Sequence, residues 1–121
     1  MKKILIIEDN ETNLYLIRFM LEKSGYEVIE AREGAVGVEL AVKEKPDLIL
    51  MDIQMPKMDG LEATRILKAD ATTRNLPVLA LTASAMKEEK EKILQAGCDG
   101  YITKPIDIQE FLKTVAEYLS G

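Results

Sequence analysis

Several side chains that can do acid, metal and phosphate chemistry stand directly after short apolar runs of this sequence. They are Glu8, Asp9, Asp52, Thr82 and Lys104. Together they offer carboxylates, a hydroxyl and an ammonium group. If the apolar runs are strands of one sheet, these side chains meet in a single pocket at the carboxyl ends of the strands.

The chemistry of such a pocket follows from its charges. Carboxylates a few ångströms apart cannot all ionise freely without a compensating cation. Lys104 supplies one positive charge, which leaves a surplus of negative charge. Oxygen ligands without histidine or cysteine suit a hard divalent cation, and Mg²⁺ is the natural candidate. A metal beside a hydroxyl and a lysine can bind a phosphoryl group, and Asp52 can be the nucleophile that forms an acyl phosphate.

The elements that must position these residues alternate along the chain. Apolar runs predict strands at residues 4–7, 28–31, 48–51, 78–81 and 101–103. Segments of helical period predict helices at residues 12–24, 34–45, 61–68, 87–95 and 108–119. Strict alternation of strand and helix predicts an α/β fold in which a parallel sheet carries helices on both faces.

Some residues also mark local features of the helices. Asp59 with Glu62 resembles a capping box, and Asn10 is a candidate N-cap of the first helix. Val38 and Val42 stand four residues apart and predict the apolar face of the second helix.

Composition excludes several classes of function. The chain has 121 residues, no histidine and one cysteine, Cys98. A Ser-His-Asp or Cys-His system, a His-ligated metal site and an internal disulfide are therefore impossible.

The length predicts one domain over residues 1–121, and the net charge of -5 disfavours nucleic acid as a direct partner. No apolar run approaches the length of a membrane span or a signal peptide, so we expect a cytoplasmic protein.

A series of short motifs runs in order through the whole chain. They are Glu8-Asp9-Asn10, Pro46-Asp47-Leu48-Ile49-Leu50-Met51-Asp52, Gln54-Met55-Pro56, Met58-Asp59-Gly60, Leu81-Thr82-Ala83, Tyr101 and Lys104-Pro105. In this order the chain resembles the response-regulator receiver domains of two-component systems, most closely the stand-alone receivers of the chemotaxis and cell-division type. The resemblance implies a flavodoxin-like fold with a five-stranded parallel sheet and five alternating helices.

The resemblance also implies roles for the acidic residues and the lysine. Asp52 matches the phosphoacceptor, and Lys104 matches the lysine that pairs with the acceptor and then with the phosphate. Asp9 matches a direct Mg²⁺ ligand, and Glu8 matches its partner, which often acts through water. The backbone carbonyl of Gln54 matches a third protein ligand, so the implied metal set comprises these three residues and Asp52.

Three further residues match parts of the family's switch. Thr82 matches the hydroxyl that bonds a phosphoryl oxygen and assists the acceptor and the lysine in the chemistry. Tyr101 matches the aromatic residue whose ring turns inward when Thr82 moves. Pro105 matches a proline that is usually preceded by a cis peptide bond.

The function that the resemblance implies is a phosphorylation-dependent switch rather than an enzyme with an external substrate. The phosphoryl donor is expected to be a sensor histidine kinase or a histidine phosphotransfer protein, with Mg²⁺ as cofactor. The chain leaves no residues for an output domain, so we expect it to signal through a downstream protein or by onward phosphoryl transfer.

Two rival interpretations make different demands on the sequence. A phosphohydrolase with an aspartate nucleophile usually carries a second acid two residues later, and that position is Gln54, which cannot act as a general acid or base. A degenerate receiver that binds partners without phosphorylation lacks the acceptor, the acidic pair or the lysine, all of which this chain has.

For several other residues, a purely structural interpretation is possible beside a functional one. Tyr101 can be half-buried packing in a short strand. Met55 and Met58 either pack beneath their loop or offer an apolar surface to a kinase. Cys98 has no basic neighbour and is predicted to be a small buried filler, and residues 87–92 predict a solvated helix face.

Overall fold

Five strands alternate with five helices along the part of the chain that the structure, a computed structural model, describes, namely residues 1–55, 57–84 and 86–120. The strands are β1 Lys3–Ile7, β2 Glu27–Ala31, β3 Leu48–Asp52, β4 Val78–Thr82 and β5 Gly100–Thr103. The helices are α1 Glu11–Lys23, α2 Gly34–Glu44, α3 Gly60–Ala69, α4 Lys87–Ala96 and α5 Ile108–Leu119. Pro56 in the motif after Asp52, and Gly121 at the end of the predicted domain, lie outside the described residues.

The strands form one parallel sheet in the order β2-β1-β3-β4-β5. This confirms the predicted α/β fold with its five-stranded parallel sheet, and every predicted bound lies within one residue of the observed one. In the pairing register, Ile7 lies opposite Met51 and Asp52 lies opposite Leu81. The carboxyl ends of the strands therefore meet at one edge of the sheet.

Apolar side chains cover both faces of the sheet, because neighbouring strand residues point to opposite sides. On one face Ile4 and Ile6 of β1 pack with the buried sides of α1 and α5, and on the other Leu5 and Ile7 pack with α2, α3 and α4. The helix residues buried on the first face are Leu14, Ile17, Leu21, Phe111, Val115 and Leu119. Full burial of one such large side chain contributes about 1.5–3 kcal/mol, so this core holds the strand ends firmly in place.

Side-chain caps define where three of the helices begin. Asn10, Asp59 and Asp107 each accept a hydrogen bond from the backbone N–H three residues later, at 2.9, 2.9 and 3.0 Å. Each cap satisfies one of the amide groups that have no partner within their own helix. The predicted caps at Asn10 and Asp59 are thus confirmed.

The prediction for the apolar face of α2 is wrong in part. Val42 is 41% exposed, whereas Gly37 and Ala41 are buried and Val38 packs at the edge of the core. The reason is the close approach of α2 to β1: a Cβ atom on Gly37 would lie 2.6 Å from Cγ1 of Ile7. The small residues Gly37 and Ala41, with Val38 beside them, therefore face the core, and Val42 does not.

Among the described helices, none combines the length and the apolar character that crossing a membrane requires.

Candidate functional site

Three carboxylates lie together at the carboxyl edge of the sheet. β1 and β3 are neighbours in register, so Glu8, the residue after β1, comes to lie beside Asp52, the last residue of β3. Glu8, Asp9 and Asp52 each place a carboxylate oxygen within 4.8 Å of the others. Glu8 is completely buried, Asp52 is 4% exposed and Asp9 is exposed. The fold thus brings together the acids that the sequence singled out.

Lys104 reaches this cluster from the loop after β5. Its Nζ atom donates a hydrogen bond of 3.0 Å to Oε1 of Glu8 and lies 3.6 Å from Oδ1 of Asp52. The peptide bond between Lys104 and Pro105 is cis, as the family resemblance implies. The backbone N–H of Gln54 donates to the same Oδ1 of Asp52 at 3.0 Å. The lysine therefore pairs more closely with Glu8 than with the predicted phosphoacceptor.

The acids are electrostatically unequal. Burial, followed by the close approach of the Glu8 carboxyl group, raises the pKa of Asp52 from its ordinary 3.8 to about 7, against the opposing effects of Gln54 and Lys104. Burial also opposes ionisation of Glu8, but the neighbouring Asp52 carboxyl group and the hydrogen bond from Lys104 outweigh it and lower the pKa of Glu8. The two acids therefore titrate as a coupled pair, in which Glu8 ionises more readily than Asp52.

The donor set fits a hard divalent cation. Oε2 of Glu8 is buried and has no hydrogen-bond partner among the described residues. A buried carboxylate oxygen without a hydrogen-bond partner costs free energy of desolvation unless a proton or a cation compensates its charge. Oxygen-only ligation by Glu8, Asp9 and Asp52 is the chemistry that Mg²⁺ prefers, so these residues could hold it.

The hydroxyl of Thr82, which is predicted to bind a phosphoryl oxygen, forms hydrogen bonds with the backbone of Ser84. Its side chain is buried, donates to the carbonyl of Ser84 at 3.2 Å and accepts from the N–H of Ser84 at 3.1 Å. Its hydroxyl is thus occupied by the loop after β4 rather than by the acids. A role in binding a phosphoryl oxygen requires the hydroxyl to exchange these partners.

Tyr101 is half-buried against the core, and its ring has a neighbour that the sequence reasoning missed. Nζ of Lys90 lies 5.4 Å from the ring centroid, within the range of a cation–π interaction. The charged sequence of residues 87–92 predicts a solvated helix face and does not by itself indicate this contact. Ile93 is fully buried three residues after Lys90, and this helical spacing is the signal that places Lys90 on the inner side of α4.

The open interpretations of the sulfur residues are resolved by burial. Met55 is buried and Met58 packs against the same part of the core, so both pack beneath the loop after β3. Cys98 is buried, its Sγ lies 3.7 Å from Oγ1 of Thr64, and burial raises the pKa of its thiol. Cys98 is therefore a core filler, as predicted.

Comparison with known proteins decides the family. The sequence model of the response regulator receiver domain matches residues 4–116. The chain belongs to this family. The receiver is also 50% identical over 118 residues to the polar-differentiation response regulator DivK of Brucella anthropi, an alignment that covers 98% of the receiver and 96% of DivK.

Solved structures of similar proteins agree in fold. The chemotaxis protein CheY4 of Vibrio cholerae has a TM-score of 0.93 at 29% identity and covers 98% of the receiver and 99% of its own chain. The receiver domain of a sensor histidine kinase from Pseudomonas aeruginosa has a TM-score of 0.92 at 36% identity, covering 99% and 98%. That neighbour has a magnesium ion coordinated in its active site cleft.

Family membership establishes the kind of work that the receiver does. It is a signalling switch of the response-regulator type, and its signalling depends on phosphorylation. Receiver domains bind Mg²⁺ at an acidic pocket and interact with histidine kinases and downstream targets. This receiver also has an acidic cluster, formed by Glu8, Asp9 and Asp52.

Proposed function

We propose that the receiver accepts a phosphoryl group on Asp52 from a phosphohistidine donor in a Mg²⁺-dependent reaction. The observation that carries this proposal is the setting of Asp52. It ends the central strand β3, it is almost fully buried, it lies beside the acids Glu8 and Asp9, and Nζ of Lys104 lies 3.6 Å from its Oδ1 atom.

The metal would be held by the carboxylates of Glu8, Asp9 and Asp52 and by the backbone carbonyl of Gln54. When bound, Mg²⁺ neutralises negative charge on the phosphoryl oxygens and on the acids that face them. Two features of the chain support this set. The carboxylate oxygens lie within 4.8 Å of one another, and Oε2 of Glu8 has no protein partner among the described residues.

The transfer step is a displacement at phosphorus by the carboxylate of Asp52. A bond forms between Oδ of Asp52 and phosphorus while the phosphorus–nitrogen bond of the donor breaks, and its electron pair stays with the donor imidazole. Asp52 must be ionised for this step, and Lys104, at 3.6 Å, favours its ionised form. After transfer, Lys104 pairs with a phosphoryl oxygen in place of the acceptor carboxylate.

The switch itself involves Thr82 and Tyr101. Thr82 releases the Ser84 backbone and donates its hydroxyl to a phosphoryl oxygen. The ring of Tyr101 then turns inward, away from Lys90. Phosphoryl contacts act by favouring one of two conformations that the receiver already samples.

The chemistry of the receiver is confined to its own phosphorylation and dephosphorylation. Its donor is a sensor histidine kinase or a histidine phosphotransfer protein. Its product is a contact with a downstream protein, or onward transfer of the phosphoryl group in a relay.

The proposal is tested with acetyl phosphate and Mg²⁺, followed by intact-mass measurement. Wild type is expected to gain the mass of one phosphoryl group, and Asp52→Asn is expected to gain none, because the amide is not a nucleophile. Asp47→Asn is the matched control. It removes a charge just before β3 while keeping an oxygen that can accept the hydrogen bond from Lys3. A wild-type gain on Asp52→Asn would show that another residue is the acceptor.

A further inference from the structure

Gly60, the first residue of α3, lies directly against the backbone of the predicted phosphoacceptor. A Cβ atom at this position would meet the carbonyl oxygen of Asp52 and would lie 2.6 Å from Cα of Ile53 and 2.9 Å from the carbonyl carbon of Asp52. These neighbours are backbone atoms, so they cannot swing aside as the end of a side chain can. Only the absence of a side chain lets α3 begin here.

Hydrogen bonds hold both sides of this contact, the backbone of Ile53 and that of Gly60, in place. Ile53 donates its N–H to Leu81 on β4 at 3.3 Å and accepts from the N–H of Gly60 at 3.3 Å. On the other side, the buried hydroxyl of Thr64 donates to the carbonyl of Gly60 at 2.7 Å. The helix behind Gly60 is held by Leu67, which is buried in the core. A side chain at residue 60 would therefore move the peptide that joins Asp52 to Ile53.

The position of that peptide controls the orientation of the acceptor. The next N–H along the chain, that of Gln54, donates to Oδ1 of Asp52 at 3.0 Å, and Lys104 approaches the same oxygen. The carbonyl of Gln54 belongs to the proposed metal set. A displacement of this short segment therefore changes both the direction of the acceptor oxygen and the ligand geometry.

We propose that Gly60 is a positioning residue for phosphoryl transfer, which holds the Asp52–Gln54 segment in reacting geometry through direct backbone contact. This rests on the proposed function of Asp52. A misplacement of about 1 Å in a reacting group lowers a rate on the order of 100-fold. For Gly60→Ala we expect the rate at saturating Mg²⁺ and acetyl phosphate to fall by about 10-fold or more.

Other glycines provide a matched control. A Cβ atom on Gly100, at the start of β5, would lie 2.5 Å from the hydroxyl of Tyr118 and 3.1 Å from Cδ2 of Leu79. The overlap is comparable, but it involves side-chain ends at the opposite edge of the sheet. Gly100→Ala is therefore expected to lower stability while its rate at saturation stays at the wild-type value.

The experiment measures phosphorylation by intact mass against time, over a range of Mg²⁺ and acetyl phosphate concentrations. It compares wild type, Gly60→Ala and Gly100→Ala, with circular dichroism and urea midpoints as measures of folding. The rate at saturation distinguishes a positioning role from a purely structural one, because a folded variant whose defect is only structural reaches the wild-type rate. If Gly60→Ala does not fold, Thr64→Val tests the proposal instead. This substitution removes the hydrogen bond from the Thr64 hydroxyl to the carbonyl of Gly60 without adding a steric overlap, and it is expected to lower the saturated rate several-fold.

The outcomes distinguish the two proposals. The positioning role of Gly60 is overturned, without affecting the proposed function, if Gly60→Ala folds and reaches the wild-type saturated rate. If Gly60→Ala does not fold, the same conclusion follows when Thr64→Val reaches the wild-type saturated rate. A wild-type receiver that takes up no phosphoryl group overturns the proposed function of Asp52 and this inference with it. A slow Gly60→Ala beside a fast Gly100→Ala supports both.

Discussion

At the scale of single residues, the carboxylate of Asp52 lies where folding disfavours its charge. It is nearly buried beside Glu8, and the nearest cation, Lys104, is closer to Glu8 than to Asp52. In the unfolded chain these acids are separated and hydrated. Functional sites tolerate such a cost because the charges are needed for the ion and the phosphoryl group.

Asp52→Asn is therefore expected to be more stable than wild type in EDTA at pH 7, by on the order of 1 kcal/mol or more, since one unit of pKa shift equals about 1.4 kcal/mol. The pKa of Asp52 is raised in the folded state, from 3.8 to about 7. Between these values the unfolded chain loses the proton and the folded chain keeps it. The contribution of Asp52 to stability thus falls as pH rises from about 4 to about 7 and is level above that.

The measurement is urea unfolding of both proteins in EDTA at several pH values. The charged groups that face Asp52 are Glu8, Asp9 and Lys104, and all of them are present in both proteins, so the difference reports Asp52 together with its coupling to Glu8. The advantage of Asp52→Asn should grow between pH 4 and pH 7. A constant difference across this range, or a lower midpoint for the variant at pH 7, would show that the crowding of carboxylates is overestimated.

At the scale of elements, α2 ends in a conformation that suits glycine rather than the lysine present. Lys45, its C-cap residue, has φ 46° and ψ 63°, which is the left-handed region. An L-residue with a Cβ atom is disfavoured there by about 1–2 kcal/mol. The helix still ends here because Pro46 follows and disfavours a helical residue before it.

Lys45→Gly is expected to raise the free energy of unfolding by about 0.5–1 kcal/mol, because relief of the left-handed conformation exceeds the entropy that glycine loses on folding. Lys43→Gly is the matched control, since it makes the same change two residues earlier in the last helical turn. There glycine should lower stability by about 1 kcal/mol. Chemical denaturation of both variants checks the opposite signs, and a loss of stability for Lys45→Gly would contradict the argument.

At the scale of the whole molecule, ion binding and folding are coupled, because the site is assembled from distant parts of the chain. Glu8 follows β1, Asp52 ends β3, and Lys104, which is 96 residues from Glu8, follows β5. The unfolded chain cannot bring these groups together. A cation that binds here therefore stabilises the entire fold by mass action.

Mg²⁺ is expected to raise the stability of wild type by about 2.7 kcal/mol when its concentration is 100 times its Kd. Asp9→Ala should respond hardly at all, because it removes the exposed ligand of the cluster while Glu8 and Asp52 stay in the core. Glu39→Ala is the control, since it removes an exposed acid from α2, away from the cluster. Thermal unfolding with and without Mg²⁺ measures the response. Equal responses in Asp9→Ala and wild type would remove Asp9 from the metal site.

The sequence by itself determined the fold class and the members of the acidic cluster. Strand and helix patterns depend on residues two to four positions apart, so apolar runs and caps such as Asp59 could be located without the structure. Parallel alternation then places every strand end at one edge, which is enough to predict that Glu8, Asp9, Asp52 and Lys104 meet.

Only the tertiary structure decided how these groups pair and what holds them. It places Lys104 nearer Glu8 than Asp52, turns the hydroxyl of Thr82 to Ser84, and sets Gly60 against the acceptor backbone. It also leaves Val42 exposed, because the approach of α2 to β1 selects its small residues. Such contacts join elements far apart in the chain, and their distances depend on how the whole core packs, so no local pattern encodes them.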